Sequence, residues 1–548
     1  MAVEKTKPPT AQTEGSTRQT MASTEPWRLA IVITSLCCGT FLVALDTTII
    51  SVAVPSIATT FQAFEDVGWY GSAYLLTVTA FQPAFGNVFQ LFDAKETYLS
   101  VAVLFEVGSV LCAAVPNSTV FIVGRAITGI GAAGLYQGAL SIVGLSVPLE
   151  QRPMYLGIVL SVFGIAACLG PPLGGILTQH LTWRWCFWIN LPIGGVSIFL
   201  VLCFLKLNDR RSKPASSILT RIWSLDLIGV TLTITWVSCL ILALQFGTSS
   251  SNWRSSKVIG LFVGAGLLLI AFFLSQWRQG ERSTIPVRIA RQRSVLMGAL
   301  FSFFLEISIY VTLYYIPFYF QSAQLVSPTV SGVRGIPLGV SQIAAVVLAG
   351  VLASMTGHYV PFMVLGQVVS IVGHVCLTKL EVGTSTALWA TFLVIAGVGH
   401  GLGLQMPFTA VQVVLNDDDV PVGNAIIVFF SQLGAAISIA IGQNILETSI
   451  AHQVHHHSNL PITAETVIAA GPTGLQSLTS DATILRALQD AYAYGIRAVM
   501  YFGLAGSCVA VPFALGMEWR NVKKEAARRK MVEEQTVNRD EDKMNPSN

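Results

Sequence analysis

Four ionisable residues stand inside long apolar stretches of this chain: Asp46, Glu106, Arg125 and Glu306. A charge at bilayer depth costs about 2.5–3.5 kcal/mol on insertion scales, so such groups are candidates for moving ions or protons. Asp46 falls in the outer half of the first apolar stretch and Arg125 in the outer part of the fourth. Those stretches run in opposite directions, which sets the two residues at similar depth and lets them pair. Glu106 lies near the middle of the third stretch and Glu306 near the middle of the ninth. A carboxyl that alternates between a dry, arginine-paired state and a wet state loads and releases a proton as its surroundings change. Asp46 and Arg125 are therefore expected to form a proton switch, and Glu306 or Glu106 to hold a cationic ligand or a second proton. A static Asp46–Arg125 brace between two helices is the competing reading.

Other side chains suit a flat organic ligand. Tyr310 and Tyr314 stand in an aromatic-rich ninth stretch, Tyr74 on the second, and His400 and Gln405 on the twelfth. Such groups line cavities and stack on planar molecules; they also occur as ordinary packing, with His400 and Gln405 as a polar pair between helices. The run His452, His455, His456, His457 has no acidic or Cys partner at ligand spacing, so no metal site is expected. No nucleotide loop or nucleophile elbow is present, and no cofactor is expected. The nine cysteines all sit in apolar runs and read as packing residues.

The elements that carry these residues follow from composition. Of 548 residues, 53% are hydrophobic and 11% charged. Soluble proteins average about 25% charged, so the solvent of this chain is lipid. A net charge of +3 gives no reason to expect nucleic-acid binding. Fourteen segments approach the ~20 apolar residues that a crossing helix needs, near 29–53, 68–91, 97–115, 120–146, 154–177, 185–206, 225–245, 257–275, 295–320, 333–354, 361–379, 386–408, 423–447 and 495–517. With the N-terminus in the cytoplasm, 24 of the 32 Lys and Arg residues fall inside and seven outside. That bias places both termini in the cytoplasm. Residues 1–28 read as a disordered tail and contain no signal peptide.

The chain repeats itself. Thr128–Gln137 reads TGIGAAGLYQ and Ala396–Gln405 reads AGVGHGLGLQ, matching at Gly129/Gly397, Gly131/Gly399 and Gln137/Gln405. Val107–Val110 resembles Val372–Val375, and Ser161-x-x-Gly164 resembles Ser431-x-x-Gly434, at nearly the same offset. Spans 1–6 thus correspond to spans 9–14, and spans 7 and 8 are an insertion. The expected organisation is an all-α polytopic membrane protein: a bundle over 29–206, a linker with two helices over 207–294, a bundle over 295–517 with a long outer loop at 448–494, and a tail over 518–548. The buried charges are not duplicated; Tyr314, Ile371 and Leu393 stand where Asp46, Glu106 and Arg125 would recur. This asymmetry assigns protons to the first half and substrate mainly to the second.

Span 5 contains Gly164-Ile-Ala-Ala-Cys-Leu-Gly170-Pro171-Pro172-Leu-Gly174-Gly175. Small residues allow close helix approach and proline bends the helix. Here the chain resembles the major facilitator superfamily and its antiporter motif Gly-Pro-x-x-Gly-Gly. Leu45-Asp46-Thr47-Thr48-Ile49-Ile50-Ser51-Val52-Ala53-Val54-Pro55-Ser56-Ile57-Ala58 resembles the first-span signature of the fourteen-span drug:proton antiporters, with Ser51 in place of the usual Asn. Arg125-Ala-Ile-Thr-Gly129-Ile-Gly131-Ala-Ala-Gly134 resembles the fourth-span proton-transfer motif, and Trp183–Gly194 (WRWCFWINLPIG) is similar to the same subfamily. The loop between spans 2 and 3 departs from the family: Gly86 and Lys95 hold, but Gln90 replaces the Asp, and Leu91 and Ala94 replace arginines. The inner charge latch of the family is therefore weakened or rebuilt, a wear that resembles fungal efflux pumps for toxins and secondary metabolites.

The resemblance implies a major facilitator fold, two pseudo-symmetric six-helix bundles facing a central cavity, and a proton-driven antiporter exporting amphipathic organic compounds. It also implies a monomer; with no readable targeting signal in the sequence, the plasma membrane is the expected address and the vacuolar membrane the alternative. Proton-coupled uptake or uniport of a small organic nutrient is the alternative.

Overall fold

A computed structural model describes residues 26–63, 66–206, 225–249, 253–280, 283–456 and 462–544. Residues 1–25, most of the basic stretch 206–221 and His457 lie outside the described residues. All regular structure among the described residues is helical. The long helices are α1 (Pro26–Phe61), α2 (Val67–Leu91), α3 (Ala94–Ala114), α4 (Ser118–Ser146), α5 (Arg152–His180), α6 (Asn190–Phe204), α7 (Leu227–Ser249), α8 (Ser256–Gln279), α9 (Arg293–Ser322), α10 (Ile336–Thr356), α11 (Val360–Leu377), α12 (Thr386–Leu404), α13 (Val420–His456), α14 (Ala482–Leu515) and α15 (Val522–Met544).

Their ends are set by side-chain caps that satisfy first-turn N–H groups. Asp93 accepts from Lys95 N and Glu96 N to start α3, and Asn117 accepts from Val120 N at 3.0 Å to start α4. Gln292 starts α9 and Asp481 starts α14, the latter accepting from Thr483 N at 2.7 Å. The Asp481 cap begins α14 well before the apolar run near 495. The segment 448–494, expected as one long loop, is largely helical: α13 continues to His456, and short helices follow at Ala464–Ala470 and Leu475–Leu478.

Thirteen helices among the described residues are long and apolar enough to cross a membrane. The remaining expected span, α2, has 25 residues but carries Gln82, Asn87 and Gln90. Two of these amides are buried and spend their polarity inside the protein. Gln82 Nε2 donates to Gln137 Oε1 at 3.2 Å, and Asn87 Nδ2 to Thr284 O at 3.2 Å. The low apolarity of α2 therefore comes from its protein-facing side.

Packing repeats between the halves. α1 packs on α5, α2 on α4, and α3 on α4; in the second half α9 packs on α13, α10 on α12, and α11 on α12. The matched glycines explain why. A Cβ on Gly131 would lie 2.6 Å from Phe105 N on α3, and one on Gly399 would strike Ser370 N on α11. Only glycine lets these backbones approach so closely. The halves meet through two equivalent pairs, α2 with α13 and α5 with α10. The inserted α7–α8 hairpin leans on α2 and α13, with Trp236 edge-on to Phe429 at 5.9 Å.

Candidate functional site

Asp46 on α1 and Arg125 on α4 meet in the first half, Arg125 Nη1 to Asp46 Oδ2 at 2.5 Å, with both side chains buried. Arg125 is held from three further sides. Its Nε donates to Tyr70 O at 2.9 Å, its guanidinium lies 4.5 Å from the centre of the Tyr74 ring, and the Phe187 ring lies at 5.8 Å. Tyr74 is itself fixed, its OH donating to Val43 O at 3.1 Å. Tyr74 is thus a buried platform for Arg125 rather than an open cavity wall.

The site contains acceptors without donors. Asp46 Oδ1, both oxygens of Glu106 and Asn190 Oδ1 are buried and make no hydrogen bond among the described residues. Glu106 on α3 presses against Gly194 of α6, and Asn190, one turn earlier, donates to Ser109 Oγ at 3.2 Å. Unpaired buried carboxylate oxygens are expensive, and a proton on one of them removes much of that cost.

Glu306 is half-buried on α9, with Tyr310 on its own helix and Tyr136 of α4 within electrostatic reach. It thus lies beside the first half. Tyr314, one turn further along α9, is 42% exposed and packs against Tyr315 and Phe318.

His400 and Gln405 sit elsewhere than at an open cavity. Gln405 is buried at the α5–α10 contact, beside Gly157, and donates to Val346 O at 3.1 Å. Its repeat partner Gln137 stands at the equivalent α2–α13 contact and donates to Pro421 O at 2.6 Å. His400 is buried inside the second half, its ring 5.4 Å from that of His374. The pair belongs to a polar knot that sequence reasoning does not assemble. His374 Nδ1 donates to Ser370 O at 2.9 Å, its Nε2 faces Thr312 Oγ1 at 3.1 Å and Ser308 Oγ at 3.2 Å, and Ser507 Oγ joins Ser308 Oγ at 2.6 Å and Ser370 Oγ at 2.8 Å. The one sequence signal for it is that His374 departs from the repeat, standing where the first half has Ser109.

The glycines of the span 5 motif divide their contacts. Gly164 packs on Ile343 of α10, across the halves, whereas Gly170 and Gly174 pack on Thr48 and Ile49 of α1. Thr48 Oγ1 donates to Ala166 O at 3.1 Å, two helices held edge to edge beside Pro171. Gly175 lies on the same helix.

At the end of the molecule that carries α15, the halves are fastened together. Gly86 of α2 lets Pro421, Val422 and Ala425 of α13 approach. Asp419, which precedes α13, accepts both guanidinium nitrogens of Arg288 at 2.9 and 3.1 Å, and Gln90 Nε2 lies 3.4 Å away. Asp417 takes Arg152 of α5 at 3.3 Å and Arg529 of α15 at 3.5 Å. Lys530 reaches Glu150 at 3.2 Å. The charge latch is thus rebuilt: Arg152–Asp417 crosses between the halves, and Arg288, after the inserted hairpin, holds Asp419 beside Gln90. Lys95 does not join it; its Nζ donates to Leu202 O at 2.8 Å, at the end of α6. Among the described residues no cluster of three or more His, Cys, Asp or Glu could hold a metal.

Comparison with known proteins agrees with this architecture. The sequence profile of the Major Facilitator Superfamily matches residues 36–439. The chain is 38% identical to the efflux pump aflT of Aspergillus parasiticus over 90% of its own length and 96% of that protein. It is 39% identical to the efflux pump roqT of Penicillium rubens, covering 93% and 94% of the two chains. It is 38% identical to an MFS-type efflux pump of Trichophyton rubrum, covering 90% and 92%. Among solved structures, a double-tryptophan variant of XylE superposes with a TM-score of 0.58 at 15% identity, covering 91% of this chain and 98% of that one. A bacterial homologue of the lysosomal transporter Spinster superposes with a TM-score of 0.54 at 14% identity, covering 90% and 98%. These structures share the fold. Two six-helix sets with an inserted helix pair, the duplicated glycine contacts and the profile match lead to one conclusion: the chain is a multi-pass membrane protein that belongs to the Major Facilitator Superfamily.

Proposed function

We propose that this protein is a proton-driven antiporter that exports amphipathic organic compounds, of the toxin or secondary-metabolite class, by alternating access. The observation that carries the reading is the buried Asp46–Arg125 pair with its unpartnered Asp46 oxygen, set among Glu106 and Asn190 acceptors that also lack donors. Relatives named as efflux pumps support the direction of transport.

In this mechanism Asp46 accepts a proton from the wet side and loosens its hold on Arg125. Arg125 keeps Tyr70 O and the Tyr74 ring and shifts its charge toward the second carboxyl of the half. Glu306, facing Tyr136 and Tyr310 between the halves, binds the cationic or hydrogen-bonding end of the substrate. Tyr310 and Tyr314 stack on its flat body. Halves 29–206 and 295–517 rock as units about the α5–α10 and α2–α13 contacts. The energy suffices: each inward proton releases about 2.3 kcal/mol per 100 mV and about 1.4 kcal/mol per pH unit. Both termini face the cytoplasm of a plasma-membrane monomer, by the basic-residue bias.

The test is compound accumulation in cells that express or lack the protein, each with and without a protonophore. The reading expects lower accumulation with the protein and loss of that difference with the protonophore. A protonophore-insensitive difference refutes proton drive. Higher accumulation with the protein refutes export and favours uptake.

A further inference from the structure

α11 and α14 start from one plane and end at different heights. At the α15 end they are tied together: Val522 N donates to Gly357 O at 2.8 Å, and the Tyr359 hydroxyl donates to Glu518 O. From there α11 rises 18 residues to Leu377, about 27 Å. That just reaches across the ~30 Å hydrocarbon layer. α14 has 34 residues and continues well past it. The α11–α12 loop and the first turns of α12 do not fill the step. A cavity of about 650 Å³ remains, open to the side, over the end of α11.

The chemistry of its walls is specific. Lys379 and Arg497 both line it. Among the described residues Arg497 Nε is buried without a hydrogen-bond partner, and Arg497 makes only a ring contact, with Tyr494 at 5.8 Å. Among the described residues Lys379 Nζ makes no hydrogen bond or ion pair. A third cation, Arg486, is already engaged by Asp490. Two acids also line the cavity, Asp490, which Arg486 engages, and Glu381 on the rim. Below the cations the wall turns apolar with Leu388, which is 52% exposed, and Phe392. Arg497 stands 18 residues above Leu515 at the end of α14, about 27 Å and level with the end of α11. Two uncommitted cations therefore hang at headgroup height over an exposed apolar strip.

We propose that this notch binds a phospholipid with an anionic headgroup, from the leaflet on the side away from α15. The phosphate bridges Arg497 and Lys379, and one acyl chain lies along Leu388 and Phe392. Guanidinium and ammonium donors give charge-assisted bonds to phosphate oxygens. The apolar strip separates a lipid from a free phosphate, which has nothing to place there. This site is independent of the proton pair and of the export reading.

The experiment is native mass spectrometry of the purified full-length protein carried in detergent with defined lipid. Phosphatidylglycerol, phosphatidylcholine and inorganic phosphate are offered in separate arms. The expected result is retention of phosphatidylglycerol in preference to phosphatidylcholine. An Arg497→Gln/Lys379→Gln variant should lower that retention about tenfold, and Lys523→Gln, at the far end, should not change it. Glu381→Gln should raise retention, a gain that no folding defect can mimic. If the double variant does not fold, Arg497→Lys and Lys379→Gln singly carry the test, with the first retaining more lipid than the second. Equal retention of both lipids, retention unchanged by removal of the two cations, or binding of inorganic phosphate alone overturns the proposal.

Discussion

Replacing Asp46 with Asn keeps the shape of the side chain and removes its charge, so it isolates what the ion pair does. At the observed 2.5 Å separation, two unit charges attract by roughly 7 kcal/mol at an effective dielectric of about 20. Most of that offsets the cost of burying them, and breaking a buried pair from one side typically costs about 3–5 kcal/mol. In the variant Arg125 keeps its bond to Tyr70 O and its place over the Tyr74 ring, which soften the loss. The fold should survive with a clearly lowered melting temperature. Transport should change in kind rather than degree. In proteoliposomes with an imposed pH gradient, uphill movement of substrate should stop, while downhill exchange persists at a reduced rate. A double variant, Asp46→Asn with Arg125→Gln, removes both charges of the pair; it should regain much of the lost stability without regaining proton drive. Full pH-driven accumulation in either variant would refute the proposal and leave Asp46–Arg125 as a brace between α1 and α4.

The rebuilt latch is tested by Arg288→Ala. Arg288 is half-exposed, so the loss of its pair is screened to about 1 kcal/mol; because the pair steadies Asp419 beside Gln90 and does not itself cross the halves, about fivefold is the upper bound of the shift toward an opening at the α15 end. Spin labels at Leu91 and Asn416 should report a larger longer-distance population, and an unchanged distribution would rule out a gating role. Asp226 is a second target. Burial pushes its carboxyl up, but bonds from Gly229 N, Gln276, Thr284 and Gln279 outweigh this and hold it below the ordinary carboxylate range. Its contribution is therefore present above about pH 4 and is lost as pH falls through the lowered value. Trp236 fluorescence should show the α7–α8 hairpin loosening below that pH, and Asp226→Ala should cost about 2–4 kcal/mol at neutral pH by stranding several donors. The same acid response in Asp226→Ala would remove Asp226 as its cause. Gly131→Ala places its Cβ 2.6 Å from a backbone nitrogen and should cost about 1–3 kcal/mol, whereas Gly264→Ala meets nothing within 4 Å and should be neutral or better. Equal melting temperatures for the two would contradict the close-packing account.

Charge in an apolar context is conspicuous, so the sequence alone singles out Asp46 and Arg125 and matches them in depth. The glycine repeats are legible because each has a steric job in both halves. Helix faces are harder. α12 is apolar nearly all round, so its sequence does not reveal which way His400 and Gln405 turn. The His374 knot is hidden because Ser308, Thr312, Ser370 and Ser507 resemble the ordinary small polar content of membrane helices. The start of α14 lies earlier than its apolar run suggests because its first turns are amphipathic; the Asp481 cap, not hydropathy, marks it. The Arg288–Asp419 contact joins residues 131 positions apart, a relation that only tertiary folding creates.

Asp417 is claimed from two directions, by Arg152 of the first half and by Arg529 of the tail. Arg529 also clasps the carbonyls of Val413 and Leu415, so it gains little by letting go alone. A shared acid of this kind grades the grip instead of switching it. Peeling α15 away leaves one contact standing and lets the halves part more readily, while the buried Asp46–Arg125 pair and the Glu306 region stay as they were. The tail would then act as a throttle on cycling speed, adjustable without any change to what is carried.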